Sequence, residues 1–261
     1  GTSESDLSGT GIFAGSDGDS YGSSILYQNT ATASAPTAST VTVGASLTNL
    51  DHSSRTDVIR YDSPKFMGFS IATSAMAGGM FDFAARYSSK FGPVKVKAAA
   101  GYTEQSARNA SANFIASGSV AVLHDSGLNA SFAIGKQNFA GPASKSGGSQ
   151  SLTTLAVDTN FNGTEDPHFI YGSVGYKAKL FGVGGTNFNV KWNQSNDAVR
   201  LANHDDNEGE SIGVAVVQEF KAIGAKIGVE YMNYSFDSKT NTANNTFDDV
   251  DVISLMTVFA F

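Results

Sequence analysis

The side chains best equipped for chemistry in this sequence are charged and recur one residue in two. Arg60 stands between Ile59 and Tyr61 in VIRYD, so if those neighbours meet an apolar phase the guanidinium points the opposite way. Arg86, Lys95 and Lys97 meet the same condition in FDFAARYSS and VKVKAAAGYT, Asp62 shares the face of Arg60, and Arg55 opens the run. A row of fixed cations on one face of a strand is no bond-making apparatus. Lining a narrow aqueous passage, it selects ions and orients dipolar solutes.

Bond-making arrangements are poorly represented. Four histidines, His52, His124, His168 and His204, are scattered without metal-ligand spacing, and there are no cysteines. No G-x-S-x-G elbow and no glycine-rich strand-to-helix turn occurs. His124 alternates to the face opposite Ser117 and Ser119, which argues against a serine hydrolase pair. DTNFNGTEDP at 158–167 has some calcium-loop residue types but lacks the bidentate Glu, and reads as a solvated loop. No enzyme activity, no cofactor and no metal are expected.

The elements that must position the charges are strands. The 261 residues include 28 Gly and 18 Phe but only 5 Pro and 16% charged residues, a composition rich in strand formers. The net charge of -7 lacks the basic excess that phosphate binding uses, which excludes nucleic acid as a partner and leans any aqueous lumen toward cations. No apolar run reaches the length of a membrane helix, and the mean hydropathy is -0.13. That leaves a membrane β-barrel open, because its strands are polar on alternate residues.

Period-two alternation runs from about residue 55 to the end in some eleven segments. Phe81, Phe83, Ala85 and Tyr87 share one face. So do Val94, Val96, Ala98, Ala100 and Tyr102, then Phe188, Val190 and Trp192, then Ile227, Val229 and Tyr231, and finally Ile253, Leu255, Phe259 and Phe261. A soluble β-sandwich alternates too. Connection lengths favour the barrel: short joints (SPKFMG, SKFGP, HDSG, LFGVGG, FKAIGA) alternate with mostly longer polar ones at 106–113, 139–167, 198–209 and 239–248. Tyr87, Tyr102, Trp192, Tyr231, Phe259 and Phe261 fall on the apolar face toward strand ends, where an aromatic girdle would meet the bilayer interfaces. Residues 1–54 are Ser-, Gly- and Thr-rich, with partial alternation in SSILYQN and TVTVGASL, enough for one or two strands and a long loop.

RTDVIRYDSPKFMGFSIATSA at 55–75 resembles the strand that follows the third, inward-folded loop of the general trimeric porins of Gram-negative outer membranes. ESDLSGTG at 4–11 resembles the stretch leading into that region, and the terminal aromatic is similar to the family's assembly signal, here Phe261. The likeness extends over residues 4–261 in pattern, but in recognisable words only over 55–75 and 252–261. It implies an all-β fold: a 16-stranded transmembrane antiparallel up-and-down β-barrel, of which this chain supplies about 11 to 13 strands as one domain, 1–261. It further implies an outer-membrane location, a homotrimer, a lipid bilayer as partner, and passive diffusion of small hydrophilic solutes and ions.

On that resemblance 1–54 is the constriction-loop region and 55–261 carries the barrel strands, with the family's first strands missing from the sequence. Arg55, Arg60, Arg86, Lys95 and Lys97 become the basic wall of the constriction, faced by loop acids Asp17, Asp19 and Asp51, although DGD at 17–19 also reads as a plain turn. Two other readings stand beside it. Long Ser/Thr/Asn-rich loops suit a non-channel barrel acting as an adhesin or structural partner, and alternation alone suits a soluble sandwich.

Overall fold

The structure, a computed structural model, describes residues 5–11, 13, 22–30, 37–50, 57–105, 112–139, 166–199, 205–239 and 244–259. Asp17, Asp19, Asp51, Arg55, Phe261 and most of the 158–167 stretch lie outside the described residues.

Two strands open the described chain, β1 (Leu26–Asn29) and β2 (Thr37–Thr42), paired antiparallel. The alternation of TVTVGASL leads one to expect a continuing strand, yet residues Val43–Ser46 make a helical turn, α1. The Thr42 hydroxyl accepts from the Ala45 amide at 3.2 Å, a side-chain cap that ends the strand and starts the turn.

The remainder is one antiparallel sheet. Its strands are β3 (Val58–Asp62), β4 (Phe69–Met76), β5 (Phe81–Phe91), β6 (Val94–Glu104), β7 (Ala112–His124), β8 (Leu128–Phe139), β9 (His168–Phe181), β10 (Gly184–Asn196), β11 (Asp205–Phe220), β12 (Ala225–Lys239), β13 (Asn244–Thr246) and β14 (Val250–Phe259). Each pairs with its neighbour in the chain, except that β14 returns to β12 and lies below β13 along the same edge. β13 and β14 therefore share one place, and among the described residues the wall has eleven, the number read from alternation. This is the up-and-down order of a barrel wall, running from β3 at one edge to β14 at the other.

Short joints close one end of the wall. At Gly127, between β7 and β8, φ is +101°, and a Cβ would lie 2.1 Å from the Lys177 carbonyl oxygen, so only glycine fits. The Gly127 carbonyl in turn accepts from Lys177 N at 2.9 Å, which ties the turn to β9.

The two faces of the wall invert the arrangement of a soluble protein. Outward positions carry Ile59, Phe69, Phe83, Phe132, Val174, Val190, Ile212, Val214, Val229, Ile253 and Leu255, all exposed, with Leu255 at 74%. Inward positions carry Ser74, Thr103, Asn129, Ser173, Asn189, Lys191, Ser195, Ser211 and Glu230, all buried. Soluble monomers rarely expose a contiguous apolar patch beyond a few hundred Å². Here the exposed apolar face is continuous across eleven strand positions, which fits lipid and not water. The small β1–β2 sheet packs on β12 from the polar side and leaves the apolar face uncovered, so the sandwich reading fails. Among the described residues no helix is long and apolar enough to cross a membrane; the strands do the crossing.

The N-terminal stretches lie on the inner face. Tyr27, Val41, Val43 and Leu47 form an apolar cluster with Met232, Tyr234 and Phe236 of β12, joined by Phe247 and Val199. The Tyr27 ring stacks on Phe236 at 5.5 Å between centroids, and burial pushes its phenol well above the ordinary range despite a 3.0 Å hydrogen bond with Ser46. Two smaller footings lie among the described residues. Leu50 packs with Ile115, Ala133 and Phe169, and Phe13 packs with Ala215 and Val217.

Candidate functional site: the charged inner wall

Strand register settles which way each charge points. Arg60 pairs across with Ser74, Ser70 with Arg86, Ser88 with Lys97 and Lys90 with Lys95, and all of these positions share the inward side with buried Ser74 and Thr103. The structure thus brings Arg60, Arg86, Lys95 and Lys97 onto one inner surface built by β3, β5 and β6. Lys90, which sequence reasoning passed over, belongs with them. Its own alternation in ARYSSKF was the signal.

Within that surface Arg60 holds Asp62 through two 2.8 Å hydrogen bonds, from Nε to Oδ2 and from Nη2 to Oδ1. Lys90 and Lys95 stand directly opposite, an arrangement of like charges that is unfavourable alone. Lys90 is drawn to Asp125 in the adjoining turn, 2.8 Å away. Asp62 and Asp82 are the inward carboxylates of β3 to β6, so this part of the wall has a cationic excess although the chain as a whole is acidic. Local charge, not the sum, governs an ion at close range.

A second charged feature went unread in the sequence. Lys191 of β10 and Glu230 of β12 form a buried ion pair, their side chains 6% and 2% exposed. One whole strand separates them. Gly213 and Ala215 of β11 lie opposite Lys191 and Glu230 respectively, and these small residues leave a path for the lysine across the intervening strand. Only the register of three strands reveals the pair; spacing of 39 positions in the chain does not.

The outward aromatics also find partners. Tyr102 donates to Glu104 at 2.7 Å, Trp192 Nε1 to Glu210 at 2.7 Å, and Tyr231 to Asp251 at 2.8 Å. Each ring therefore has its polar tip turned toward the long-loop end and its body on the apolar face, the posture of an interfacial side chain. Tyr231 differs from expectation in position, since it falls mid-strand in β12, but Asn233 and Asp251 beside it are already polar. At the short-turn end Phe69, Tyr87 and Phe91 form a contiguous aromatic group, with ring centroids 4.4 Å and 6.3 Å apart, and Phe259 is exposed on β14.

The carboxylates follow a line. The register row of Glu210 runs through Gln194, Ile170, Ile134 and Gly118 to Ala100, four residues on the turn side of Glu104. The row of Asp251 passes through Asn233 to Ile212, two residues on the turn side of Glu210. The polar boundary therefore drifts steadily in one direction, four residues over five strand steps and two over the next two.

No group of three or more His, Cys, Asp or Glu gathers into a metal-binding arrangement among the described residues. His124 Nδ1 is engaged with Ser126 at 2.8 Å, on the turn.

An apolar exterior, a polar and charged interior and next-neighbour antiparallel pairing define a membrane β-barrel wall. No protein-family model matches the chain, and no curated protein matches it. Among solved structures it is similar to OmpT, an outer membrane protein of Vibrio cholerae, at 12% identity and a TM-score of 0.44, covering 77% of this chain and 62% of that one. It is also similar to OccK8 (OprE) of Pseudomonas aeruginosa, at 14% identity and a TM-score of 0.41, covering 77% of this chain and 57% of that one. The chain spans less than two thirds of the length of either.

Proposed function

We propose that this protein is a diffusion channel of the Gram-negative outer membrane, passing small hydrophilic solutes and ions along the inner face of its wall. The observation that carries this reading is the set of inward cations, Arg60, Arg86, Lys90, Lys95 and Lys97, on a polar surface whose reverse side is exposed and apolar. Fixed charges facing a lumen serve no packing purpose that neutral polar residues would not serve at lower desolvation cost. They do set the field along an aqueous path. The excess of cations at β3 to β6 supports a local preference for anions, against the cation lean suggested by net charge. Assembly as a homotrimer accords with the porin-like RYDSP stretch.

The test is conductance. The purified native protein in planar bilayers is expected to open stepwise, in threes if trimeric, and a salt gradient gives the sign of selectivity. Silent bilayers from natively folded protein would overturn the proposal and favour a closed barrel with a binding or structural role at its outer loops.

A further inference from the structure

The charges of the inner face are compensated in two places and uncompensated in a third. Asp62 is held by Arg60 and acted on by Arg86, and Asp82 lies in the register row of Arg60. Near the turn between β11 and β12, Lys226 lies directly opposite Glu219, and Lys177 has Asp6 and Glu219 within electrostatic reach. At the turn between β5 and β6 three lysines gather instead. Lys90 stands directly opposite Lys95, Lys97 follows Lys95 two residues along the same face, and Ser88 stands opposite Lys97.

Among the described residues the carboxylate that ion-pairs with this group is Asp125, 2.8 Å from Lys90. Its own amide donates to Pro93 O at 2.8 Å, which ties it to the β5–β6 turn. Three lysines against one aspartate leave a net charge of +2. Lys177 of β9 acts on Lys95 as a further like charge.

Side chains directly opposite on antiparallel strands have Cβ atoms about 4.5–5.5 Å apart, so Lys90 and Lys95 repel one another in the bare sheet. An anion between them turns that repulsion into attraction. The net charge calls for a dianion. Lysines act as point charges, and with a serine hydroxyl they converge from two strands, which suits a tetrahedral oxyanion; a planar carboxylate is better matched by the arginine fork. The Lys90–Asp125 pair is exposed on both sides and of little net worth, so Lys90 exchanges partners readily. Val94, Val96 and Tyr87 occupy the reverse, apolar side, so the anion arrives from the lumen and not as a lipid headgroup.

We propose that Lys90, Lys95, Lys97 and Ser88 form a binding site for a divalent tetrahedral oxyanion, the group carried by phosphate monoesters, at the short-turn mouth of the inner face. The site deepens the channel reading by naming a solute class and rests on that face being wetted. Binding itself does not require conduction.

The test is calorimetric titration of the purified full chain in detergent with inorganic phosphate, at constant ionic strength balanced by chloride. Saturable binding over the chloride background is expected. Lys95→Gln with Lys97→Gln should weaken it at least about tenfold, the effect of removing two charge contacts in a water-like surrounding. Lys95 is exposed and Lys97 half-buried, so the fold tolerates the change, and Lys95→Arg with Lys97→Arg, which keeps both charges, should retain the binding. Lys226→Gln removes a charge from the same face beside Glu219 and should alter the affinity by less than about twofold, because salt screens it from the site.

No phosphate binding above chloride, an equal loss in Lys226→Gln, or an unchanged affinity in the Lys95→Gln, Lys97→Gln variant overturns the site. Silent bilayers with phosphate binding that follows these lysines would sink the channel reading alone. Conducting protein that does not bind phosphate would sink the site alone.

Discussion

Glu230→Met should destabilise the protein by about 3–5 kcal/mol, and the reason is the lysine it leaves behind. Lys191 reaches across β11 to this carboxylate with its side chain 6% exposed, and Glu230 is 2% exposed, so neither charge has water as an alternative partner. Removing one member strands the other in a site that was desolvated for both. Lys191→Met should therefore cost a similar amount, whereas the double variant Lys191→Met with Glu230→Met removes both charges and keeps the volume, and should fall within about 1 kcal/mol of the parent. The coupling energy is then roughly 5 kcal/mol or more. Trp192, the single tryptophan of the chain, sits next to Lys191 with its ring on the lipid side, so its fluorescence reports unfolding in urea from lipid vesicles at the site in question. Single variants that cost less than about 1 kcal/mol each and add within ~0.5 kcal/mol would show a solvated, independent pair, and would refute burial as the governing term.

Three further outcomes follow from the same geometry. Leu255→Arg places a cation at an outward position that is 74% exposed, and should cost about 2–4 kcal/mol in a bilayer by reversible folding, where a water-facing position would tolerate it. Gly127→Ala forces a side chain into a φ of +101° and against the Lys177 carbonyl, so a loss of at least ~2 kcal/mol in the same assay is expected. Arg60→Ala removes one exposed partner of the Asp62 pair; stability should change by less than about 1 kcal/mol while the reversal potential in a salt gradient moves toward cations. An unmoved potential would take Arg60 off the conducting path.

The wall was legible in the sequence because its rule is local. A strand between lipid and water must alternate at every position, so Phe81 to Tyr87 or Phe188 to Trp192 betray their facing without reference to any neighbour. Arg60, Arg86, Lys95 and Lys97 could be aimed correctly on that ground alone. The inner segment obeys no such rule. Tyr27, Val41 and Leu47 meet Tyr234, Phe236 and Phe247 some 200 positions away, in a stretch whose Ser, Gly and Thr content hides its few anchors. The Lys191–Glu230 pair was invisible for a related reason, since it depends on the registers of three strands and on the smallness of what lies between. Tyr102 and Glu104, two apart on one face, were within reach of the sequence and show that short-range polar partners merit a search wherever an interfacial ring is expected.

The steady drift of the outward carboxylates also fixes a pitch. If Glu104, Glu210 and Asp251 all stand at one depth, where headgroups begin, then the strands must lean by however much brings those rows level. A slip of nearly one residue per strand, at roughly 3.4 Å along and 4.8 Å across, corresponds to a lean of about 30° from the bilayer normal. A sheet set at that slant wraps as a helicoid of one handedness, and the depth of any side chain can be read from its row number, including those on the strands that carry no acid at all.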